Sequence, residues 1–243
     1  MKKLFLFIQL IICSSVFSQS IKTGEDVINA MYNKYNGKWY KYFTFTQDGT
    51  FYKDGKAEKT EVWHEAAMFP GNLVIKYDSM TSKNGVVFSN YKVCGIKDGV
   101  VKAPRSFIHD LLLVGFDVYF LHPSRTTHLL DSLGYNLNTV HEDVFEGRKV
   151  YVVGALKGDD KSNQFWIDAE RLYMHRILYK KGEHMMDVVF ADYKKIQGNW
   201  TAKKVTFKSD GQLQMVETYY NIKFPKELDS SVFVPEKFTD AKW

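Results

Sequence analysis

Seven histidines, two cysteines and several adjacent acidic pairs are the residues of this 243-residue chain whose types invite chemistry. The histidines are His64, His109, His122, His128, His141, His175 and His184. None forms the HxxxH or HExxH spacing that sets two imidazoles on one helix face around zinc. His64-Glu65 and His109-Asp110 are neighbours in sequence, and on a strand neighbours point to opposite faces. Cys94 has no second thiol near it, so neither a CxxC redox pair nor a disulfide scaffold is expected. A serine hydrolase elbow (GxSxG), a phosphate loop (GxxxxGKS) and a dinucleotide fingerprint (GxGxxG) are all missing from the sequence. Glu142-Asp143 and Asp159-Asp160 fall in charged strand or turn segments and read as solvated. These residues predict no metal, no cofactor and no catalytic group, leaving a protein that works by binding.

Composition supports a globular, β-rich chain. It is 45% hydrophobic and 25% charged, and its 18 Phe, 15 Tyr and 5 Trp favour strands. Residues 1–18 read as a secretory signal: Lys2 and Lys3 precede an apolar run from Leu4 to Val16, too short to span a bilayer as a helix. Cleavage is expected after Ser18. Cys13 lies inside that run behind the bulky Ile12, which argues against lipidation there. The mature chain, residues 19–243, is then predicted to be periplasmic, with the net charge lowered from +5 to +3 by loss of the two lysines. Lys180-Lys181, Lys194-Lys195 and Lys203-Lys204 are read as solvated strand faces able to steer the chain to an anionic surface. A charge this small gives no reason to expect a nucleic-acid partner.

The elements follow from periodicity. Gly24–Tyr35 is predicted helical, with Val27, Ile28, Met31 and Tyr35 on one face, Thr23 as N-cap and Asp26 three residues on. Strands follow over Trp39–Gln47, Glu58–Met68, Leu73–Asp78, Gly85–Val93 and Val100–Val101. Turns are expected at Asp48-Gly49, Asp54-Gly55, Pro70-Gly71-Asn72 and Lys97-Asp98-Gly99. Ser106–Leu121 is nearly continuous apolar sequence and is predicted to be one helix. Its apolar arc spans roughly 220°, about twice what a surface helix needs. A second helix is predicted over Ser124–Leu133. Strands resume over Asn138–Glu146, Arg148–Leu156, Asn163–Asp168, Leu172–Lys180, His184–Ile196, Trp200–Ser209 and Gln212–Phe224. Tight turns between consecutive strands imply antiparallel meanders. The expected fold is therefore mainly β (α+β): one domain with one antiparallel sheet of about 11–12 strands, too many to stay flat.

Four features in this order resemble the LolA/LolB-like group of periplasmic outer-membrane lipoprotein carriers. A signal and one amphipathic helix lead into the aromatic strand Trp39-Tyr40-Lys41-Tyr42-Phe43-Thr44-Phe45. An apolar helical insert interrupts the sheet. Asn163-Gln164-Phe165-Trp166-Ile167-Asp168 is similar to the family's Phe-Trp-Ile/Val-Asp segment. Asn221-Ile222-Lys223 with Leu228-Asp229-Ser230-Ser231-Val232-Phe233-Val234-Pro235 is similar to its closing stretch. The resemblance implies an incomplete antiparallel β-barrel with a helical lid, whose hollow holds the acyl chains of a lipoprotein or another lipid.

On that reading, period-two alternation selects Phe43, Phe45, Leu73, Ile75, Phe165, Ile167, Val216 and Ile222 as the inward wall. Phe107, Leu111, Leu112, Phe116 and Tyr119 are the lid residues that face cargo. The implied partners are a lipid or lipidated protein, an inner-membrane donor and an outer-membrane acceptor, with transient membrane contact and a monomeric carrier. Two alternatives remain beside the carrier: a binding module of the same fold that senses a lipid signal, and an envelope enzyme whose site leaves no motif.

Overall fold

The computed structural model describes residues 20–243, so the expected signal segment 1–18, with Cys13, lies outside the described residues. Helix α1 spans Gly24–Tyr35, where periodicity put it. A reciprocal cap starts it: Asp26 N donates to Thr23 Oγ1 at 3.2 Å, and Thr23 N donates to Asp26 Oδ2 at 2.9 Å. Such a cap is worth about 1 kcal/mol. Val27, Ile28 and Met31 are fully buried on its inner face.

The first meander is β1 Tyr42–Lys53, β2 Lys56–Met68, β3 Asn72–Tyr77, β4 Gly85–Ser89, β5 Lys92–Lys97 and the short β6 Val100–Val101 and β7 Arg105–Ser106. Two expectations are corrected here. Asp48-Gly49 is not a turn, because both residues are paired on either side, to Val62 and Glu61 of β2 and to the last strand. The chain turns at Asp54 and Gly55, both with positive φ. Gly85–Val93 is not one strand either: Asn90 and Tyr91 take positive φ (50° and 57°) and close a two-residue hairpin that no glycine announces.

The second meander is β8 Val140–Phe145, β9 Arg148–Val153, β10 Gln164–Asp168, β11 Met174–Lys181, β12 His184–Ala191, β13 Lys194–Ile196, β14 Asn199–Thr201, β15 Lys204–Ser209 and β16 Gln212–Lys223. Fourteen strands form one sheet in the order β6-β5-β4-β3-β2-β1-β16-β15-β12-β11-β10-β9-β8, with β7 beside β5 and β13-β14 a separate ribbon. All pairings are antiparallel, and the sheet does not close, since β6 and β8 stand at its two ends. Thus the last strand pairs with the first, and one sheet runs through both meanders.

The predicted helix 106–121 is broken. Helix α2 covers only Asp110–Gly115, a 3-10 turn follows at Asp117–Tyr119, and Ser106 belongs to β7. Gly115 and β-branched neighbours are weak helix formers. Phe116 (φ −143°) instead swings to stack on Phe69, with ring centroids 4.7 Å apart. The aspartates of this stretch do not share a solvent face: Asp110 accepts from Tyr135 Oη at 2.8 Å and Asp117 from Gly71 N at 2.9 Å, both turned inward. Helix α3 spans Pro123–Ser132, with proline in its first turn.

The sheet is buried on both faces near β3. Its inner face carries Leu73 and Ile75. On its outer face Val74 packs with Ala66, Val87 and Ile96 under Val232, Phe233 and Phe238 of the C-terminal segment. Lys76, fully buried, fastens that segment: its Nζ donates to Met80 O (2.9 Å), Ala241 O (2.8 Å) and Thr239 O (3.3 Å). Asp229 caps the 3-10 turn Ser230–Phe233 by accepting from Ser231 N at 2.8 Å. The Asp168 carboxylate holds the β10–β11 turn, accepting from Arg171 N (2.6 Å), Glu170 N (3.0 Å), Arg148 and His175. Burial alone raises its pKa, but the His175 and Arg148 hydrogen bonds outweigh that and hold it well below the usual carboxylate range. These two contacts account for the aspartates in the two recognisable sequence segments.

Candidate functional site: an apolar hollow

The concave face of the sheet encloses a cavity of about 1040 Å³. Small-molecule sites span about 300–1,000 Å³, so this one is at the top of the range. Its wall is built by alternation. Trp63, Glu65 and Ala67 of β2 stand opposite Gln47, Phe45 and Phe43 of β1, and Leu73 and Ile75 of β3 continue the row. From the other side come Met215, Glu217 and Tyr219 of β16, Phe207 of β15, and Met186 and Phe190 of β12. The cover is β7, the loop 107–109 and α2, contributing Phe107, Ile108, His109, Leu111 and Leu112.

The hollow runs along the strands. Its deep end is aromatic: Phe43 stacks on Phe45 at 4.5 Å, and Phe69 on Phe116 at 4.7 Å. Its mouth lies at the hairpin tips, where the exposed Lys53, Glu58 and Lys59 of β1–β2 face Lys180 and Lys181 of β11–β12. His109 is sandwiched edge-on between Phe88 (4.9 Å) and Phe107 (5.6 Å), and burial pushes its pKa down to about 4, so it is neutral.

Eight of the thirteen residues selected from the sequence line this space: Phe43, Phe45, Leu73, Ile75, Phe107, Leu111, Leu112 and Phe116. Five do not. Tyr119 lies in solid core, 4.3 Å from the Trp39 ring, with its hydroxyl donating to Leu172 O at 3.2 Å. Phe165 and Ile167 lie in solid core outside the hollow. Phe165 packs at 5.8 Å from Tyr135, and neither residue has any exposed surface. Val216 points out of the hollow because Met215, Glu217 and Tyr219 hold the inward parity of β16. Ile222 shares Val216's even parity, but a bulge at Asn221 (φ 52°) slips the register between Thr44↔Lys223 and Thr46↔Tyr220. The bulge turns Ile222 back against the core, beyond the end of the hollow.

Alternation also places Glu65 and Glu217 on the inward face, and neither is among the thirteen selected residues. Glu65 shares parity with Trp63 and Ala67, and Glu217 with Tyr219, so each is a carboxyl on an otherwise apolar face. Tyr219 Oη donates to Glu217 Oε2 at 2.8 Å. Burial pushes Glu217 up to about 7, against the pull of Tyr219 and Gln47. Glu65 is raised well above the ordinary value by burial and then by the charge of Glu217. Among the described residues no group of three or more His, Cys, Asp or Glu could hold a metal ion, and no helix is long and apolar enough to cross a membrane. The arrangement can keep hydrocarbon out of water, an effect worth about 0.8 kcal/mol per methylene.

No family model matches the chain, and no curated protein matches it. Solved structures do. An outer membrane lipoprotein-sorting protein domain from Vibrio parahaemolyticus superposes with a TM-score of 0.60 at 12% identity, over 89% of this chain and 98% of that one. A DUF1329 family protein from Desulfovibrio piger gives 0.57 at 13% identity, over 86% and 95%. A LolA superfamily protein from Nitrosomonas europaea gives 0.56 at 10% identity, over 88% and 98%. The described residues therefore have a LolA-like fold: an open, curled antiparallel sheet with a helical cover over its concave face.

Proposed function

We propose that this chain is a periplasmic carrier that holds the acyl chains of a lipid or lipoprotein in its hollow and delivers them toward the outer membrane. The observation that carries this reading is the roughly 1040 Å³ of largely aromatic- and aliphatic-lined space under a short cover. A dozen methylenes buried there would contribute roughly 10 kcal/mol before the costs of association, enough to hold a chain reversibly. The likeness to a domain described as lipoprotein-sorting agrees with it. The carrier acts as a monomer, takes cargo from an inner-membrane donor and yields it to an outer-membrane acceptor. The lysines at the mouth favour brief contact with an anionic membrane surface.

Mass spectrometry of the native protein, purified from the cell envelope without detergent, tests the binding. Co-purified lipid, displaced by a dansyl-labelled fatty acid, is the expected result. An empty protein with no measurable affinity for the labelled chain overturns the proposal. Transfer of a lipoprotein from donor to acceptor membranes tests the carriage separately.

A further inference from the structure

We propose that Gln47, Glu65 and Glu217 form a subsite inside the hollow for the polar group of an amphiphile rich in N–H or O–H donors, an amine above all. The inference rests on the hollow holding a hydrocarbon chain, and it adds the chemistry of the group attached to that chain. Three observations carry it.

The first is placement. All three residues lie on the inward faces of adjacent strands, and the two carboxyl residues line the cavity itself. Gln47 stands opposite both Trp63 and Tyr219, Glu65 opposite Phe45, and Glu217 opposite Gly49. The second is missing partners. Gln47 is 0% exposed, yet neither its amide nitrogen nor its amide oxygen makes a hydrogen bond. Its side chain leans toward Glu217 without closing one. Glu217 accepts only from Tyr219, and among the described residues Glu65 accepts from no side chain or backbone group. The third is the missing cation. The lysines around the cavity stand at its mouth, Lys59 is paired with Glu61, and among the described residues no Lys or Arg reaches either carboxyl.

A buried polar group left without a partner costs about 1–3 kcal/mol, and a purely structural role would be better served by an apolar side chain. Gln47 is such a group, and with Glu65 bare beside it and Glu217 held only by Tyr219, this wall points to a ligand that completes it. The two carboxyls and the amide oxygen accept against one amide nitrogen that donates, so the group that best completes the wall is rich in donors. A carboxylate or phosphate ligand would bring negative charge beside carboxyls whose own charge the site already disfavours. An ammonium supplies both donors and the missing charge. Burial raises both carboxyls and the charge of Glu217 raises Glu65 further, and a cation in the site would oppose both effects.

Displacement of a dansyl-labelled fatty acid from the full chain at about pH 8, where an alkylamine is still charged, distinguishes the cases. Dodecylamine, dodecanol and dodecanoate share one chain length and differ in the polar group. Dodecylamine is expected to compete at least about tenfold better than dodecanoate, with dodecanol between them, a gap of about 1.4 kcal/mol. Glu65→Gln with Glu217→Gln should bring the three within about twofold, with an unchanged melting transition by circular dichroism. If that variant fails to fold, the order of the three ligands on the unaltered chain decides alone, with Gln47→Ala as the second variant, expected to narrow the gap. Equal binding of all three, or tighter dodecanoate, overturns the subsite while leaving the hollow as a chain-binding site. Amine preference surviving in the folded double glutamine variant overturns it too. Binding of none of them overturns both readings.

Discussion

Phe43 and Phe165 obey the same alternation rule on opposite flanks of one sheet and meet different fates. Phe165, on β10, packs against Tyr135 with no exposed surface. Gly24 of α1 approaches the same flank so closely that a Cβ there would sit 2.5 Å from Val153 Cγ1, and a Cβ on Gly115 would sit 3.2 Å from Met174 Cε. That flank is packed to ordinary interior density. Phe43, on β1, looks into open volume. Beyond its stacking partners, the flank from β1 to β5 is covered only by a six-residue helix and the loop before it. An inward-facing aromatic is thus core or binding wall according to how much helix lies above it. Helix α1 reaches Val153 of β9, and the last residue of α2 reaches Met174 of β11, on the filled side.

The largest expected effect sits on the filled flank. Phe165→Ala should lower unfolding free energy by about 3–5 kcal/mol in urea titration, because the cavity cannot collapse under rigid helices. Affinity for the dansyl-labelled chain should hold wherever the variant is folded. A loss of binding without a loss of stability would erase the distinction between the flanks.

Leu111→Asp probes the other flank. Leu111 is half-buried and lines the hollow, so the charge should cut chain affinity by about tenfold or more, roughly 1.4 kcal/mol. Stability should shift by less than about 1 kcal/mol. Phe116 and Leu112 are poorer probes, because Phe116 also stacks on Phe69 and Leu112 is buried. A Leu111 variant that unfolds instead would mean the cover is core.

Asp117 marks the seam between the flanks, and its pH dependence has a definite sign. Burial raises its pKa to about 7 from an unfolded value of 3.8, against the pull of the Gly71 N–H. The folded chain therefore binds a proton that the unfolded chain has lost. Its stabilising effect is whole below 3.8 and is lost as pH rises through about 7, at up to about 1.4 kcal/mol per pH unit. Neutral His109 acts in the opposite sense, with stability lost as pH falls from about 6.5 to about 4. The difference between Asp117→Asn and the unaltered chain isolates the aspartate. The variant should gain in relative stability from about pH 4 to about pH 7 in denaturant titrations and level off above that. A flat difference would remove the buried charge from the seam.

Tyr119→Phe should have the smallest effect, about 1 kcal/mol, since it deletes one hydroxyl bonded to Leu172 O and leaves the ring against Trp39. Chain affinity should not change. A change in affinity measured by the same displacement assay would move Tyr119 from the filled flank to the hollow.

Local chemistry made much of the fold legible. Thr23 and Asp26 announce the start of α1, and Asp54-Gly55, Lys97-Asp98-Gly99, Glu146-Gly147 and Asp210-Gly211 sit where the chain turns. The alternation of Leu73, Val74 and Ile75 between two faces follows from pleating alone. Legibility fails where one residue shifts the phase. The bulge at Asn221 reverses the parity of β16, so Val216 and Ile222, selected together, end on opposite sides. It fails again at Ser106–Leu121, where apolar periodicity cannot say whether a run lies along one helix or folds into strand, helix and 3-10 turn. Asn90-Tyr91 closes a hairpin with residues common in many other settings.

The sequence by itself determined a mainly antiparallel β chain with one capped helix, a helical insert midway, and apolar residues alternating along its strands. Those are consequences of short-range sterics, capping and the two-residue repeat, all of which act within a few positions. Only the tertiary structure decided that β16 closes against β1, that helices fill one flank and leave the other hollow, and that Glu65, Glu217 and Gln47 share a buried wall. Those outcomes depend on contacts between residues as far apart as Phe45 and Tyr219, which meet at 4.5 Å. No local pattern encodes the volume left between a sheet and its cover, because that volume is set by the few helical turns that remain after every other contact has been made.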